Sequence, residues 1–249
     1  MKRVILWSLL FLVVLVGSAI VHIPANLVVR QLPPTQGLEL SGISGTLWNG
    51  SAAKFSWQGQ PMGRLKWQFN PLKLFAGKAD VDLRLSGTPG LSARGNVGYS
   101  LGGIYANNLL LSASANIVQS FLPTPLPVSL SGQFDLTVRD YLFGQQPFCE
   151  ALAGNLAWSQ GNVDSPIGTI DPGLVVAQLS CNEGQLVLDG DSASDAIETE
   201  FNIFLSPDQR YSLNGWFAPG DAFPESMRGQ LGFLGNPDSE GRYRLSFSG

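Results

Sequence analysis

Two regimes of hydrophobic patterning divide the chain. After Lys2 and Arg3, apolar residues run almost without a break from Val4 to Ile23, and the next Asp, Glu, Lys or Arg is Arg30. At about 1.5 Å of helical rise per residue, that run matches the roughly 30 Å hydrocarbon core of a bilayer. It predicts a transmembrane anchor over 4–23, with residues 1–3 held in the cytoplasm by their positive charge and the rest of the chain exported. Gly17-Ser18-Ala19 would also suit a cleavage site behind a signal sequence with Val4 to Val16 as its apolar core. The apolar character that continues through Ile20-Val21-His22-Ile23 and Leu27-Val28-Val29 favours the uncleaved anchor.

Beyond a polar, Pro-containing stalk over 24–37, in which Pro33-Pro34 blocks regular structure, the period changes from continuous to two. Leu65, Trp67 and Phe69 alternate with Arg64, Lys66 and Gln68, and Val81, Leu83 and Leu85 with Asp82, Arg84 and Ser86. The same pattern recurs at Phe134, Leu136 and Val138, and at Tyr243, Leu245 and Phe247. Each stretch reads as a strand with one buried face and one wetter face. A single soluble helix is expected around Ser114 to Leu122, where Ile117, Val118, Phe121 and Leu122 share a helical face and Pro123 ends it. The Pro-rich Pro123 to Pro127 reads as an extended connector, giving a candidate internal junction at 122–128. The fold class is therefore mainly β: one N-terminal transmembrane helix, then an elongated antiparallel sheet domain over 38–249, in one or two segments.

A weak repeat runs through this region. Leu38-Glu39-Leu40-Ser41-Gly42 is echoed by Leu83 to Gly87, Val128 to Gly132, Leu186 to Gly190 and Leu245 to Gly249. A strand closing on Ser-Gly or Asp-Gly is common hairpin grammar, and the near-regular spacing favours a succession of similar hairpins.

Composition narrows the function. Only 14% of residues are charged and the net charge is −4, with the 15 Lys and Arg scattered, so no basic stripe suits nucleic acid. The two cysteines, Cys149 and Cys181, both lie on the exported side, where an even pair suggests a disulfide; two buried free thiols are the alternative. The only histidine, His22, ends the apolar run, which leaves the exported region without Ser-His-Asp, Cys-His or HExxH chemistry. No dinucleotide or nucleotide fingerprint is present. Asp189, Asp191, Asp195, Glu198 and Glu200 form the densest acidic stretch, but Ala193 and Ser194 stand where a calcium loop needs an oxygen ligand and a Gly, so a solvated loop is expected. A carboxylate-dependent hydrolase needs only two well-placed acids, and nothing in the sequence selects a pair. Trp57, Trp67 and Trp216 fall in alternating stretches and read as sheet-face packing. No catalytic residue, metal or cofactor is assigned.

Gly42-Ile43-Ser44-Gly45-Thr46-Leu47-Trp48-Asn49-Gly50 is the most specific stretch, and it resembles the signature of the protein N family of the bacterial type II secretion system. Its physical reading is a strand end and turn, with Gly45 and Gly50 bracketing Trp48 and with Asn49-Gly50 at positive φ. Leu65-Lys66-Trp67 leading to Asn70-Pro71-Leu72, and Cys149 ahead of Gly154-Asn155-Leu156-Ala157-Trp158, extend the resemblance along the chain. It implies a non-catalytic accessory subunit of the inner membrane with a periplasmic domain, supporting assembly or coupling for export of folded proteins. Other inner-membrane subunits and the outer-membrane secretin are the partners it implies. A similar Gly-x-Leu-Trp-x-Gly element occurs in proteins resembling the AsmA group, which keeps open a lipid-handling β-groove lined by Leu, Phe and Trp. In either case edge strands or an apolar concave face would make the contacts.

Overall fold

The computed structural model describes residues 2–31, 37–121, 127–144, 148–208 and 210–249, and the chain divides into two compact units, Met1–Thr88 and Pro89–Gly249. Most of the 122–128 junction expected from sequence, and Pro33-Pro34 of the stalk, lie outside the described residues.

The first unit opens with helix α1 (Lys2–Val21) and a short helix α2 (Ala25–Gln31), which falls inside the segment read as stalk. Among the described residues no helix is long and apolar enough to cross a membrane. Four strands follow: β1 (Leu38–Gly45), β2 (Asn49–Trp57), β3 (Gln60–Phe69) and β4 (Ala79–Thr88), paired antiparallel in chain order. A 3₁₀ turn, Pro71–Ala76, joins β3 to β4. The alternation read from the sequence holds on β3, where Leu65, Trp67 and Phe69 are half-buried and Arg64, Lys66 and Gln68 exposed.

The second unit is another antiparallel meander. Its strands are β5 (Leu91–Ser100), β6 (Gly103–Ser114), β7 (Ser129–Phe143), β8 (Ala151–Ser165), β9 (Gly168–Ile170), β10 (Val175–Asn182), β11 (Gln185–Ala193), β12 (Ile197–Leu205), β13 (Tyr211–Pro219) and β14 (Tyr243–Ser248). Each pairs with its neighbour in sequence, except that β9 pairs only with β8 and lets β10 take the next place in the sheet. Helix α3 (Ala115–Ser120) lies within the predicted helix; Gln119 ties it to β7, its Nε2 donating to the Val128 carbonyl at 2.6 Å and its Oε1 accepting from Leu130 N–H at 3.1 Å. The repeated Ser-Gly does not mark a turn on β7: Gly132 lies inside the strand, opposite a bulge in which β8 carries one extra residue, Gln160-Gly161.

The register sorts side chains onto two faces. Leu111, Leu136, Leu156 and Ala177 stand abreast on β6, β7, β8 and β10, and Leu179, Leu188, Ile203, Leu213 and Phe247 form a second apolar row from β10 to β14. The opposite face carries Asn155, Gln178, Asp189, Asn202, Asn214 and Ser246 in line. The leucines of the apolar rows are only half-buried. A compact core forms where helix α4 (Glu225–Arg228) folds back, with Phe217, Phe223, Met227 and Leu231 buried together against Ile170, Ile197, Tyr243 and Leu245.

Candidate functional site

The Gly42 to Gly50 stretch is a junction. β1 and β2 pair up to Gly45 opposite Gly50, and the turn between them is closed by Thr46 N–H donating to the Asn49 carbonyl at 2.9 Å and by Asn49 N–H donating to Thr46 Oγ1 at 3.2 Å. Asn49-Gly50 does not supply the positive φ expected from sequence. Asn49 already begins β2, and the left-handed position is Gly45, at φ 86°, where a Cβ would sit 2.5 Å from the Asn49 carbonyl oxygen. Gly50 serves close approach instead: a Cβ there would lie 2.4 Å from the Trp67 ring. That approach lets Trp67 reach across the turn and donate its indole N–H to the Leu47 carbonyl at 3.1 Å. Trp48 packs edge-on against Phe69 with ring centroids 5.1 Å apart, and its carbonyl accepts from Phe69 N–H at 2.7 Å.

The same turn holds the end of the N-terminal segment. Leu47 N–H donates to the Ile23 carbonyl at 3.0 Å, Pro24 bridges to Thr46, and Ala25 is buried. The motif therefore joins three elements: the chain leaving α1, the β1–β2 hairpin and, through Trp67 and Phe69, strand β3.

In the second unit Cys149 and Cys181 form a disulfide, with Cα atoms 5.6 Å apart and Cys149 fully buried. It links the segment entering β8 to the end of β10, at the opposite end of that strand pair from the β9 excursion.

Asp189, Asp191, Glu198 and Glu200 lie in strands rather than in the expected loop, and Asp195 falls in the turn between β11 and β12. Asp189 and Asp191 lie in β11 across from Asn202 and Glu200 of β12, and Asn202 Nδ2 donates to Asp189 Oδ1. Among the described residues no group of three or more His, Cys, Asp or Glu could hold a metal ion. These side chains line an open groove of about 1160 Å³ along the polar face, with Gln178, Asn214 and Trp216. At its margin Trp216 donates its indole N–H to Glu200 Oε2 at 3.2 Å, and the Arg242 guanidinium lies over its ring at 5.0 Å. Asp238 binds Arg242 in turn. Its carboxyl is held below the usual Asp range, mainly by the Arg242 backbone N–H and against desolvation, with help from the Glu240 N–H and the Arg242 guanidinium. The groove lining mixes amides and carboxylates with apolar side chains, including Leu156, Val176, Phe201 and Trp216. A smaller apolar pocket of about 380 Å³ lies under α4, lined by Ile170, Ile197, Phe217, Phe223 and Met227.

Sequence reasoning found the motif, the disulfide pair and Trp67. It missed the Ile23–Leu47 link and the ion pair of Lys73 with the buried Asp80, 2.8 Å long. No local signal points to either, because both depend on the strand register.

Comparison with known proteins gives a consistent result. The family model described as type II secretion system protein N matches residues 36–246. The chain is similar to type II secretion system protein N of Vibrio cholerae serotype O1 (41% identity over all of this chain and 99% of the relative). It is also similar to the proteins of that name from Aeromonas hydrophila (34%, all of this chain and 99% of the relative) and Klebsiella pneumoniae (25%, all of this chain and 97% of the relative). No solved structure matches.

Proposed function

The chain belongs to the type II secretion system protein N family, and from that premise we propose that it is a non-catalytic accessory subunit of the secretion machine. In this reading residues 4–23 anchor it in the inner membrane, residues 1–3 face the cytoplasm, and the β units work in the periplasm. It supports assembly or coupling of the apparatus that exports folded periplasmic proteins. Its partners are other inner-membrane subunits and the outer-membrane secretin.

The observation that carries the reading is end-to-end similarity to relatives bearing that name. The structure adds support of a different kind. The motif clamps the chain leaving α1 onto the sheet, so an anchor would be coupled to the β structure by hydrogen bonds as well as by the backbone. Strand β14 closes the order of the second unit on one side, and such an edge can accept a partner's strand.

The test is in-cell crosslinking of the full-length chain, gentle extraction from native membranes and mass spectrometry of bound proteins and lipids. Secretion-system inner-membrane subunits or the secretin should be enriched over an unrelated anchored control. Phospholipid in near-stoichiometric amount with no secretion partner would refute the reading. That outcome would favour an AsmA-like lipid-handling module, the second reading, for which the apolar pocket under α4 is the supporting observation.

A further inference from the structure

The connection between β3 and β4 presents apolar side chains outward where burial would be expected. Leu72 is 75% exposed, Leu74 47% and Phe75 92%, in a 3₁₀ turn that contains Lys73 and is followed by Lys78. The turn is rigidly folded. Asn70 N–H donates to the Asp80 carbonyl at 2.9 Å, Lys78 N–H to the Lys73 carbonyl at 3.0 Å, and Gly77 closes it in the left-handed conformation. Lys73 is held at 2.8 Å from the Asp80 carboxylate, which is 2% exposed. The apolar tip is thus a fixed feature of the fold.

Its position says what it meets. β3 ends at Phe69, whose N–H is bound by the Trp48 carbonyl, so the β3–β4 connection and the β1–β2 turn share one end of the first unit's sheet. With strands about 4.8 Å apart, the two turns sit roughly 10 Å from each other. The β1–β2 turn is also where Ile23, the last residue of the apolar run, is bound by Leu47. If 4–23 spans the bilayer, the membrane surface lies at Ile23 by covalent continuity, and this end of the sheet is at that surface.

We propose that the Pro71–Ala76 turn is a second membrane contact. Leu72, Leu74 and Phe75 enter the interfacial layer of the leaflet from which α1 emerges, and the two lysines stand at headgroup level. Aromatic and leucine side chains bordered by lysine are the composition of interfacial contacts. Two contacts on one sheet end would fix the tilt of the first unit against the bilayer, which a single helix could not do. The inference rests on the anchor reading above.

The test uses the full-length chain in phosphatidylethanolamine–phosphatidylglycerol liposomes, with one nitroxide per variant at Phe75→Cys, Val14→Cys or Gln60→Cys. Gln60, exposed in the β2–β3 hairpin, is the aqueous control. Collision with oxygen and with a water-soluble nickel chelate reports depth. The expected result is an oxygen-to-nickel ratio at position 75 several-fold above that at position 60, with position 14 deeper still. A lipid-like signal at 14 with a water-like signal at 75 overturns the docking while leaving the anchor intact. Shielding of position 75 from both relaxants overturns it in favour of a protein partner over the tip. A water-like signal at 14 overturns the anchor and the inference with it.

Discussion

Removing the Cys149–Cys181 disulfide tests how the second unit is held together. The bridge closes a sequence separation of 32 residues. Loop-closure entropy for a ring of that size stabilises the fold by about 3.5 kcal/mol, exerted on the unfolded chain. The location raises the stakes. β8 and β10 are sheet neighbours not joined by a direct hairpin, because β9 intervenes. Without the bridge, the unfolded chain must bring them together across the whole excursion.

The perturbation is the double variant Cys149→Ala/Cys181→Ala, alongside the natural chain unfolded with reductant present. Urea unfolding in mild detergent, followed by tryptophan fluorescence and far-ultraviolet circular dichroism, measures the loss. At a slope of about 2–3 kcal/mol/M for a unit of this size, the midpoint should fall by roughly 1–2 M in both cases. Midpoints that match the oxidised chain within a few tenths molar would refute the loop-closure argument. A loss confined to the double variant, with the reduced chain unaffected, would refute it differently: the buried packing of Cys149, 1% exposed, would then be the source.

The remaining predictions probe the junction and the groove margin. Gly50→Ala puts a methyl into the Trp67 ring, where a Cβ would lie at 2.4 Å, and should cost about 2 kcal/mol in urea unfolding. Trp67→Phe keeps most of the packing but leaves the Leu47 carbonyl without its indole donor, a loss of about 1 kcal/mol by the same assay. Lys73→Met leaves the buried Asp80 carboxylate without this ion pair and should cost about 2–3 kcal/mol, discounted because Lys73 is itself 43% exposed; adding Asp80→Asn should recover part of it. The Asp238 carboxyl is depressed, so its contribution is present above the ordinary value of about 3.9 and is lost as pH falls through the lower folded value. Carbon-13 titration should place its midpoint below the ordinary range, and a midpoint at or above that range would contradict the Arg242 contacts.

Alternation made the strands legible. On β7 the half-buried Phe134 and Leu136 and the buried Val138 alternate with Asp135, Thr137 and Arg139, as the period required. It could not show how little those faces would be covered. Leu156, Leu188 and Leu213 stand in the apolar rows of the sheet yet stay half-buried, because burial depends on whether another layer arrives. The short helices escaped for a related reason. Ala25–Gln31 and Glu225–Arg228 are too short to be stable alone and exist because Ala25 and Met227 find buried positions.

The junction shows the sharper limit. Its residues were conspicuous in the sequence, yet the mechanics assigned to them changed once the pairing was known. Asn49-Gly50 has the letters of a tight hairpin, and the structure uses Asn49 to start a strand and Gly50 to admit an indole from β3. Gly45, which carries the left-handed backbone, looked from the sequence like half of a glycine bracket. The contact that joins this turn to the N-terminal segment, Leu47 N–H to the Ile23 carbonyl, involves backbone atoms alone, so no choice of side chain could advertise it. Residue types in this motif record what the fold excludes, a Cβ at Gly42, Gly45 and Gly50, while its connections are set by register. That is why the motif can identify a family without naming a chemistry, and why perturbing Trp67 and Gly50 tests the junction more directly than any change to a polar side chain.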